Sequence, residues 1–434
     1  MSGSLRFVHA ADLHLDTPFQ GVSAVAPAVA EALYEASLQA WDAVVDLTLA
    51  REAALLVIAG DIYDGAERGV RAQVRFLEGL RRLSAAGVQT FIAHGNHDPL
   101  DGWSAIREFP PGVTVFGSEA VETVSVTVDG RPVHVHGISY ATREVRDNLA
   151  LGFRRAQGAG LNIGVLHTNA TGQADHAPYC PCSLADLEAA GMDYWALGHI
   201  HKQQFLRQGG PWVAYSGDTQ GRSPKPSEMG AKGVLVAEAT GATVERVTFA
   251  PVDVVRFVPC AVDVGDLADV SALYEAVREA VLGLQAEHGD RALLVRVTLE
   301  GRGPVAADLR REGAVAELRD ALRDGLAARS PFVWVESVKN AARRPVDLDA
   351  VRRGQDFGAA LLERGDALVA DEGVAAHFVG RAAELLERPG QVATALRDLA
   401  ADNADGSLAQ AEARDVLAEA LELAMDKLGM GDES

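Results

Sequence analysis

Five short polar motifs, each placed directly after an apolar run, constrain the fold of this chain more than any other feature. The apolar runs show little alternation, which is typical of β-strands that are buried on both faces. Between the first three of these runs, residues 31–51 and 70–86 carry apolar side chains at helical spacing. Because open α/β folds bind ligands at the carboxyl ends of their strands, we expect the motifs to converge at one edge of an α/β layered domain. The predicted strands are 5–9, 55–59, 88–93, 163–167 and 194–197.

The motifs contain the donor types that a two-metal site needs, namely carboxylates, an amide and four imidazoles. Two divalent ions roughly 3.5–4 Å apart can hold a hydroxide nucleophile and neutralise charge on a phosphoryl group. A carboxylate such as Asp61 can bridge both ions. The sequence therefore predicts a dinuclear phosphoesterase. The motifs read Asp12-Leu13-His14, Gly60-Asp61-Ile62-Tyr63-Asp64, Gly95-Asn96-His97-Asp98, Leu166-His167-Thr168 and Gly198-His199-Ile200-His201.

The donor mixture also indicates which metal is preferred. Four imidazoles favour transition metals, whereas the carboxylates and the amide also suit Mn²⁺, and the set is unlike an all-oxygen Mg²⁺ or Ca²⁺ site. We therefore predict two divalent metal ions, with Mn²⁺ as the first choice, and no organic cofactor.

Charge and cysteine content narrow the class of protein. The formal net charge is −21, which weakens a nucleic-acid interpretation without excluding it, because phosphate contacts normally require a basic surface. Bound divalent ions would add positive charge at the site itself. Three cysteines favour a reducing cytoplasm over a disulfide framework. No uncharged apolar stretch approaches the ~20 residues of a membrane span, so a cytoplasmic protein is expected.

Three domains are predicted along the chain. Residues 1–250 form the motif-bearing domain, which includes a hairpin of 121–128 and 131–138 around Asp129-Gly130. Residues 251–340 form a small α/β unit without a ligand constellation. Residues 341–434 form a helical region with an amphipathic stripe that either packs on its own domain or docks on a partner helix. This stripe consists of Leu417, Leu421, Ala424 and Leu428.

At these motifs the chain resembles the calcineurin-like metallophosphoesterase superfamily. The combination of motifs is similar to that of the SbcD-type DNA nuclease subunits. Residues 193–201 and 217–222, followed by 230–233, are closer still to a bacterial YhaO-like branch. The resemblance implies a four-layer αββα sandwich, with 251–340 as a small α/β capping domain and the C-terminal region as a helical tail.

The resemblance also implies roles for individual residues. His97 would act as the acid/base residue that protonates the leaving 3′ oxygen, and Asp64 would orient it. Arg222, Lys225 and Lys232 could also meet phosphate, although an exposed basic residue is usually just solvated. The first metal would be held by Asp12, His14, Asp61 and His201, and the second by Asp61, Asn96, His167 and His199. Four other histidines, His9, His94, His134 and His136, are interpreted as structural because the ligand set is already complete.

The function implied is a DNA exonuclease or endonuclease subunit in DNA repair, paired with an SbcC-like or YhaN-like coiled-coil ATPase. The resemblance also allows a homodimer. A phosphodiesterase for small molecules or nucleotides is the main alternative, and a non-catalytic scaffold for the ATPase is a third. Protein Ser/Thr phosphatases are disfavoured, because Gly65 and Asp98 stand where their motifs carry Arg and Glu.

Overall fold

The computed structural model describes residues 4–19, 27–65, 69–170, 179–345, 348–355, 357–371, 373–374 and 377. Within these residues the strands are β1 Leu5–Ala10, β2 Leu55–Ala59, β3 Gln89–Ala93, β4 Val113–Val115, β5 Glu122–Val128, β6 Arg131–Gly137, β7 Leu161–His167, β8 Tyr194–Gly198, β9 Gln204–Arg207, β10 Trp212–Tyr215, β11 Gly233–Thr240, β12 Thr243–Pro251, β13 Val255–Asp263, β14 Ala292–Glu300 and β15 Val333–Asn340. The helices are α1 Pro27–Ala50, α2 Val70–Ala85, α3 Leu184–Ala189, α4 Val270–His288, α5 Ala314–Leu326, α6 Leu348–Arg353 and α7 Phe357–Ala370.

Two six-stranded sheets form the motif-bearing part of the chain. The first has the order β12-β11-β1-β2-β3-β4, and the second has the order β5-β6-β7-β8-β10-β9. Strands β1 to β4 are parallel to one another, as are β6, β7, β8 and β10. All five motif-bearing strands thus belong to the parallel parts of the two sheets, as the apolar runs predict.

The two sheets pack face to face and are covered by helices. Phe7 and Val57 of the first sheet share a buried apolar cluster with Ile163 and Val165 of the second. On the outer face of the first sheet, Trp41 of α1 and other helical residues pack against the strands, while α3 covers the second sheet. These layers confirm the predicted αββα sandwich.

The predicted hairpin is also present in β5 and β6. Asp129 and Gly130 have φ values of 48° and 76°. A two-residue hairpin turn whose twist matches the flanking strands needs positive φ at both central residues, which an Asp-Gly pair supplies.

The structure divides into two compact units. The first comprises Met1–Cys260, Arg278–Val297 and Arg319–Val338, and the second comprises Ala261–Val277, Thr298–Leu318 and Lys339–Ser434, each within the described ranges. A third sheet has the strand order β13-β14-β15. Inside the first unit, Leu33 of α1 shares an apolar cluster with Phe257 and Leu294. A truncation near residue 250 would therefore remove half of a packed cluster.

Other expectations concern smaller features. All three cysteines are free and buried. Among the described helices, none has the length and apolar character needed to cross a bilayer. The stripe from Leu417 to Leu428 lies outside the described residues, and the predicted domain boundaries stay a prediction.

Candidate metal centre

Backbone hydrogen bonds join the first two motifs at the ends of β1 and β2. The amide of Asp12 donates to Gly60 O at 3.0 Å, and the amide of His14 donates to Asp61 O at 3.0 Å. Four predicted ligands have positive φ, a conformation that non-glycine residues rarely adopt and that concentrates at functional sites. These are Asp12 at 51°, His14 at 42°, Asp61 at 52° and His199 at 105°.

Close packing at the strand ends requires two glycines of the motifs. An added Cβ at Gly198 would lie 1.8 Å from Ala59 O, and one at Gly95 would lie 2.3 Å from Asp61 Oδ1. Real Cβ atoms do not approach other atoms so closely, so both positions need glycine. The motifs of the two sheets can therefore approach each other this closely only with glycine at these two positions.

Asp12, His14 and His201 form the first cluster of candidate ligands, with donor atoms within 4.8 Å of one another. Nε2 of His14 faces Nε2 of His201 at 3.2 Å, and Nδ1 of His201 lies 3.3 Å from Glu228 Oε1. Nδ1 of His14 is buried without a hydrogen-bond partner among the described residues. When Nδ1 of His201 donates to Glu228, its Nε2 carries a lone pair directed at the other ring. A cation bound by both rings fits this arrangement.

Asp12, Asp61 and His167 form the second cluster. Nδ1 of His167 lies 2.9 Å from Ala59 O, so it is the donor, and Nε2 is left as a ligand atom. This Nε2 lies 2.9 Å from Asn96 Oδ1, and the same oxygen lies 3.3 Å from Nδ1 of His199. The structure thus brings all seven predicted ligands together, and their donor chemistry fits two transition-metal ions.

Asp61 belongs to the second cluster and also faces the first. Its Oδ1 accepts a hydrogen bond of 2.9 Å from the amide of His97. Its Oδ2 lies 3.3 Å from Nε2 of His167 and 3.9 Å from Nε2 of His14. One carboxylate oxygen therefore faces imidazoles of both clusters, which is the placement expected of a bridging ligand.

Burial and mutual charge shift the pKa values in this centre. Burial raises the pKa of Asp12. Burial acts in the same direction on Asp61, but the charge and the hydrogen bond of His167 hold the pKa of Asp61 well below its usual range. The pKa of His167 is raised, against its burial, by Asp61. A bound cation would replace the proton on His167, so metal binding is coupled to proton release.

His97 and Asp64 form a hydrogen-bonded pair beside the clusters. Nδ1 of His97 lies 2.6 Å from Asp64 Oδ1, and the two side chains are 33% and 31% exposed, open enough to meet a substrate. Burial disfavours the charged ring, but the hydrogen bond of Asp64 and the charge of Asp61 raise the pKa of His97. Because Nδ1 is engaged, Nε2 of His97 is the nitrogen available to a substrate.

Asp98 has a role that the sequence reasoning missed. This buried carboxylate accepts backbone hydrogen bonds from Asp61 at 3.2 Å, Ile62 at 3.0 Å and Gly95 at 2.8 Å, and it lies 2.9 Å from Nδ1 of His94. It therefore ties the second motif to the third. Its place in the Gly-Asn-His-Asp motif was the available signal, but nothing in the sequence shows which backbone amides it meets.

Asp98→Ala is expected to lower the free energy of unfolding by about 3 kcal/mol or more, because three buried amides lose their acceptor at about 1–3 kcal/mol each. Urea unfolding of the purified variant measures this effect. Asp98→Asn, which keeps one acceptor oxygen, is the matched control and should lose less. A stability of the alanine variant within about 1 kcal/mol of the parent would contradict this role.

A second missed group surrounds His201. Glu228 Oε1 faces its ring, and Lys232 Nζ donates to its backbone oxygen at 2.9 Å and lies 2.8 Å from Asp218 Oδ1. Burial opposes ionisation of Glu228, but the hydrogen bond with His201 lowers its pKa to about 2. Asp218 and Lys232 lie in the stretches 217–222 and 230–233 that resemble the YhaO-like branch, so for them a signal was present without an assigned role. Glu228 lies between these stretches and carried no signal.

The four histidines interpreted as structural have protein hydrogen-bond partners. His9 bonds to Tyr194 and Leu197, and His94 bonds to Asp98. His134 and His136 bond to Ser125 and Thr123 on the neighbouring strand.

The fold and the motifs define a metallophosphoesterase. A family model described as calcineurin-like phosphoesterase matches residues 5–203, and one described as metallophosphoesterase YhaO, middle domain, matches residues 257–343. The chain belongs to the calcineurin-like metallophosphoesterases and is a homologue of YhaO, which confirms the resemblance noted from its motifs. It is 34% identical to the metallophosphoesterase YhaO of Bacillus subtilis over 77% of this chain and 81% of that protein.

Two more distant relatives carry nuclease or repair names. One is the DNA double-strand break repair protein Mre11 of Thermoplasma acidophilum, at 27% identity over 41% of this chain and 49% of that protein. The other is the SbcD component of the nuclease SbcCD of Bacillus subtilis, at 25% identity over 54% of this chain and 66% of that protein.

Proposed function

We propose that this chain is a dinuclear-metal phosphodiesterase that cleaves DNA. The observation that carries the proposal is Asp61 facing both ligand clusters, with the His97–Asp64 pair beside them. The first ion would be held by Asp12, His14, Asp61 and His201, and the second by Asp61, Asn96, His167 and His199. When bound, such ions supply Lewis acidity and a water of lowered pKa; Mn²⁺ suits this donor set.

The chain's own residues would complete the chemistry. Asp64 holds Nδ1 of His97, so that Nε2 of the ring points its proton toward the leaving oxygen. The raised pKa of His97, which its hydrogen bond with Asp64 sustains against burial, keeps that proton available near neutral pH. Asp98 holds the backbone of both loops and so fixes Asp61 relative to His97.

DNA is the proposed substrate because two relatives are named for nuclease or DNA repair work. We further propose that the 251–340 region acts as a capping domain that positions DNA beside the 1–250 nuclease domain. The helical 341–434 region would dock an SbcC-like or YhaN-like ATPase. We place the protein in the cytoplasm and propose that two copies of this chain form a homodimer. Phosphate contacts set the register of DNA, which is the task assigned to the cap.

Hydrolysis of small-molecule or nucleotide phosphodiesters is the second candidate. The formal net charge of −21 favours it, because long DNA is repelled by an acidic surface.

An assay of the full chain separates the two candidates. With Mn²⁺, the protein is expected to digest linear DNA, and the rate should fall steeply with salt because DNA binding releases counterions. Hydrolysis of bis(p-nitrophenyl) phosphate should depend weakly on salt. Asp61→Asn, which removes the carboxylate that faces both ligand clusters, is the matched inactive control for both substrates. Turnover of cyclic nucleotides without any DNA digestion, with the ATPase partner present or absent, would favour the small-molecule candidate.

A further inference from the structure

Arg222 is a buried cation at the edge of the metal centre. Its side chain is 8% exposed. Nε is buried without a hydrogen-bond partner among the described residues. Burial of an unpaired guanidinium donor is costly, so such a group indicates that a partner is supplied from outside the protein chain.

The guanidinium of Arg222 lies close to the groups proposed for the chemistry. Nη1 is 3.7 Å from Asp64 Oδ2, which is an ion pair longer than a hydrogen bond. The other oxygen of the same carboxylate lies 2.6 Å from Nδ1 of His97. Arg222 therefore lies beside the His97–Asp64 pair, at the edge of the metal centre.

The backbone of Arg222 is fixed independently of its side chain. Its amide donates a 2.7 Å hydrogen bond to Glu228 Oε2, and Glu228 Oε1 faces His201. At Gly221, an added Cβ would lie 2.2 Å from Glu228 O, so the backbone before the arginine packs closely against residue 228. The backbone is thus fixed without the guanidinium, whose Nε is left for a ligand.

We propose that Arg222 binds a non-bridging oxygen of the phosphodiester that this site hydrolyses. This inference rests on the proposed phosphodiesterase function and adds a substrate-binding residue to it. A guanidinium suits the role because it stays charged and offers a planar fork of donors that matches phosphate geometry. Negative charge grows on the phosphoryl oxygens as the nucleophile adds, so a preorganised donor stabilises the transition state more than the ground state.

The test compares Arg222→Ala and Arg222→Lys with the parent chain, using bis(p-nitrophenyl) phosphate and Mn²⁺. Arg222→Ala is expected to lose about 10²-fold in kcat/KM, the usual effect of removing one such donor. Arg222→Lys keeps the charge without the fork and should lose about tenfold. Metal analysis should find two ions in each variant. Arg246→Gln, which removes the same charge from an exposed position on β12, should match the parent.

Chemical rescue distinguishes phosphate binding from a structural role. Added guanidinium should raise the hydrolysis rate of the Arg222→Ala variant at least about tenfold, whereas NaCl at equal ionic strength should not raise it. The affinity of the Mn²⁺-loaded protein for inorganic phosphate, measured by calorimetry, should fall about tenfold in the same variant.

Unchanged phosphate affinity or absence of rescue would overturn the assignment, because an arginine that acts only through Asp64 would give both results. If the parent chain binds phosphate through Arg222 but hydrolyses no phosphodiester, the proposed function fails while the binding inference stands.

Discussion

Asp61→Asn is expected to lose both metal ions and all metal-dependent turnover. The carboxylate faces both ligand clusters, so removing its charge weakens both sites at once. Unit charges 4 Å apart interact by about 4 kcal/mol at an effective dielectric constant of 20, which corresponds to about 10³-fold in affinity at each site. Asparagine keeps an oxygen for the amide of His97, so the loop geometry should survive.

Metal analysis and Mn²⁺ titration calorimetry measure this loss. His14→Ala is the matched control, because His14 belongs to the first cluster and not to the second. That variant should mainly weaken one site and keep the other. Equal and complete loss of both ions in the two variants would contradict a bridging role for Asp61.

His97→Ala is expected to keep two metal ions and still lose about 10²–10⁴-fold in kcat, the usual contribution of a general acid. The reason is geometric. Nδ1 of His97 bonds to Asp64 and its amide donates to Asp61, while its ring packs edge to face against His14 with the ring centroids 5.1 Å apart. Removing the ring therefore takes no donor atom from either ligand cluster.

The leaving group separates acid catalysis from other roles of His97. A p-nitrophenolate leaves without protonation, so the loss should be small with bis(p-nitrophenyl) phosphate and large with a dinucleotide, whose alkoxide needs a proton. Asp64→Asn should show the same pattern to a smaller degree, since it acts through His97. A His97→Ala protein that has lost metal would instead place His97 among the ligands.

Much of the fold could be predicted from the sequence because its strands are buried on both faces. Strand β2 was predicted at its observed bounds, and β3 differs by one residue at one end. Helix α1 begins at Pro27, four residues before the predicted start. Helix ends depend on local capping more than on the apolar pattern, so they are less well determined.

The ligand residues could be predicted, and the residues that support them could not. Metal donors such as Asp12 and His167 occur in recognisable motifs at strand ends, where topology brings them together. The partners of Asp98 and Glu228 are backbone amides and an imidazole from distant segments. Those contacts depend on loop conformation, which has no periodic signal in the sequence. The burial of Arg222 was missed for the same reason.

The left-handed backbone at four predicted ligands has a consequence for metal exchange. Asp12, His14, Asp61 and His199 adopt conformations that cost of order 1–3 kcal/mol each, so an unfolded chain rarely samples them together. Two hydrogen bonds within the protein hold part of this geometry. Gly60 O accepts from the amide of Asp12, and the Asp98 carboxylate accepts from the amide of Asp61. Folding thus brings the predicted metal ligands together before any ion binds. Chelation should then empty the site reversibly while the protein stays folded, in contrast to a zinc finger, whose fold disappears with its ion.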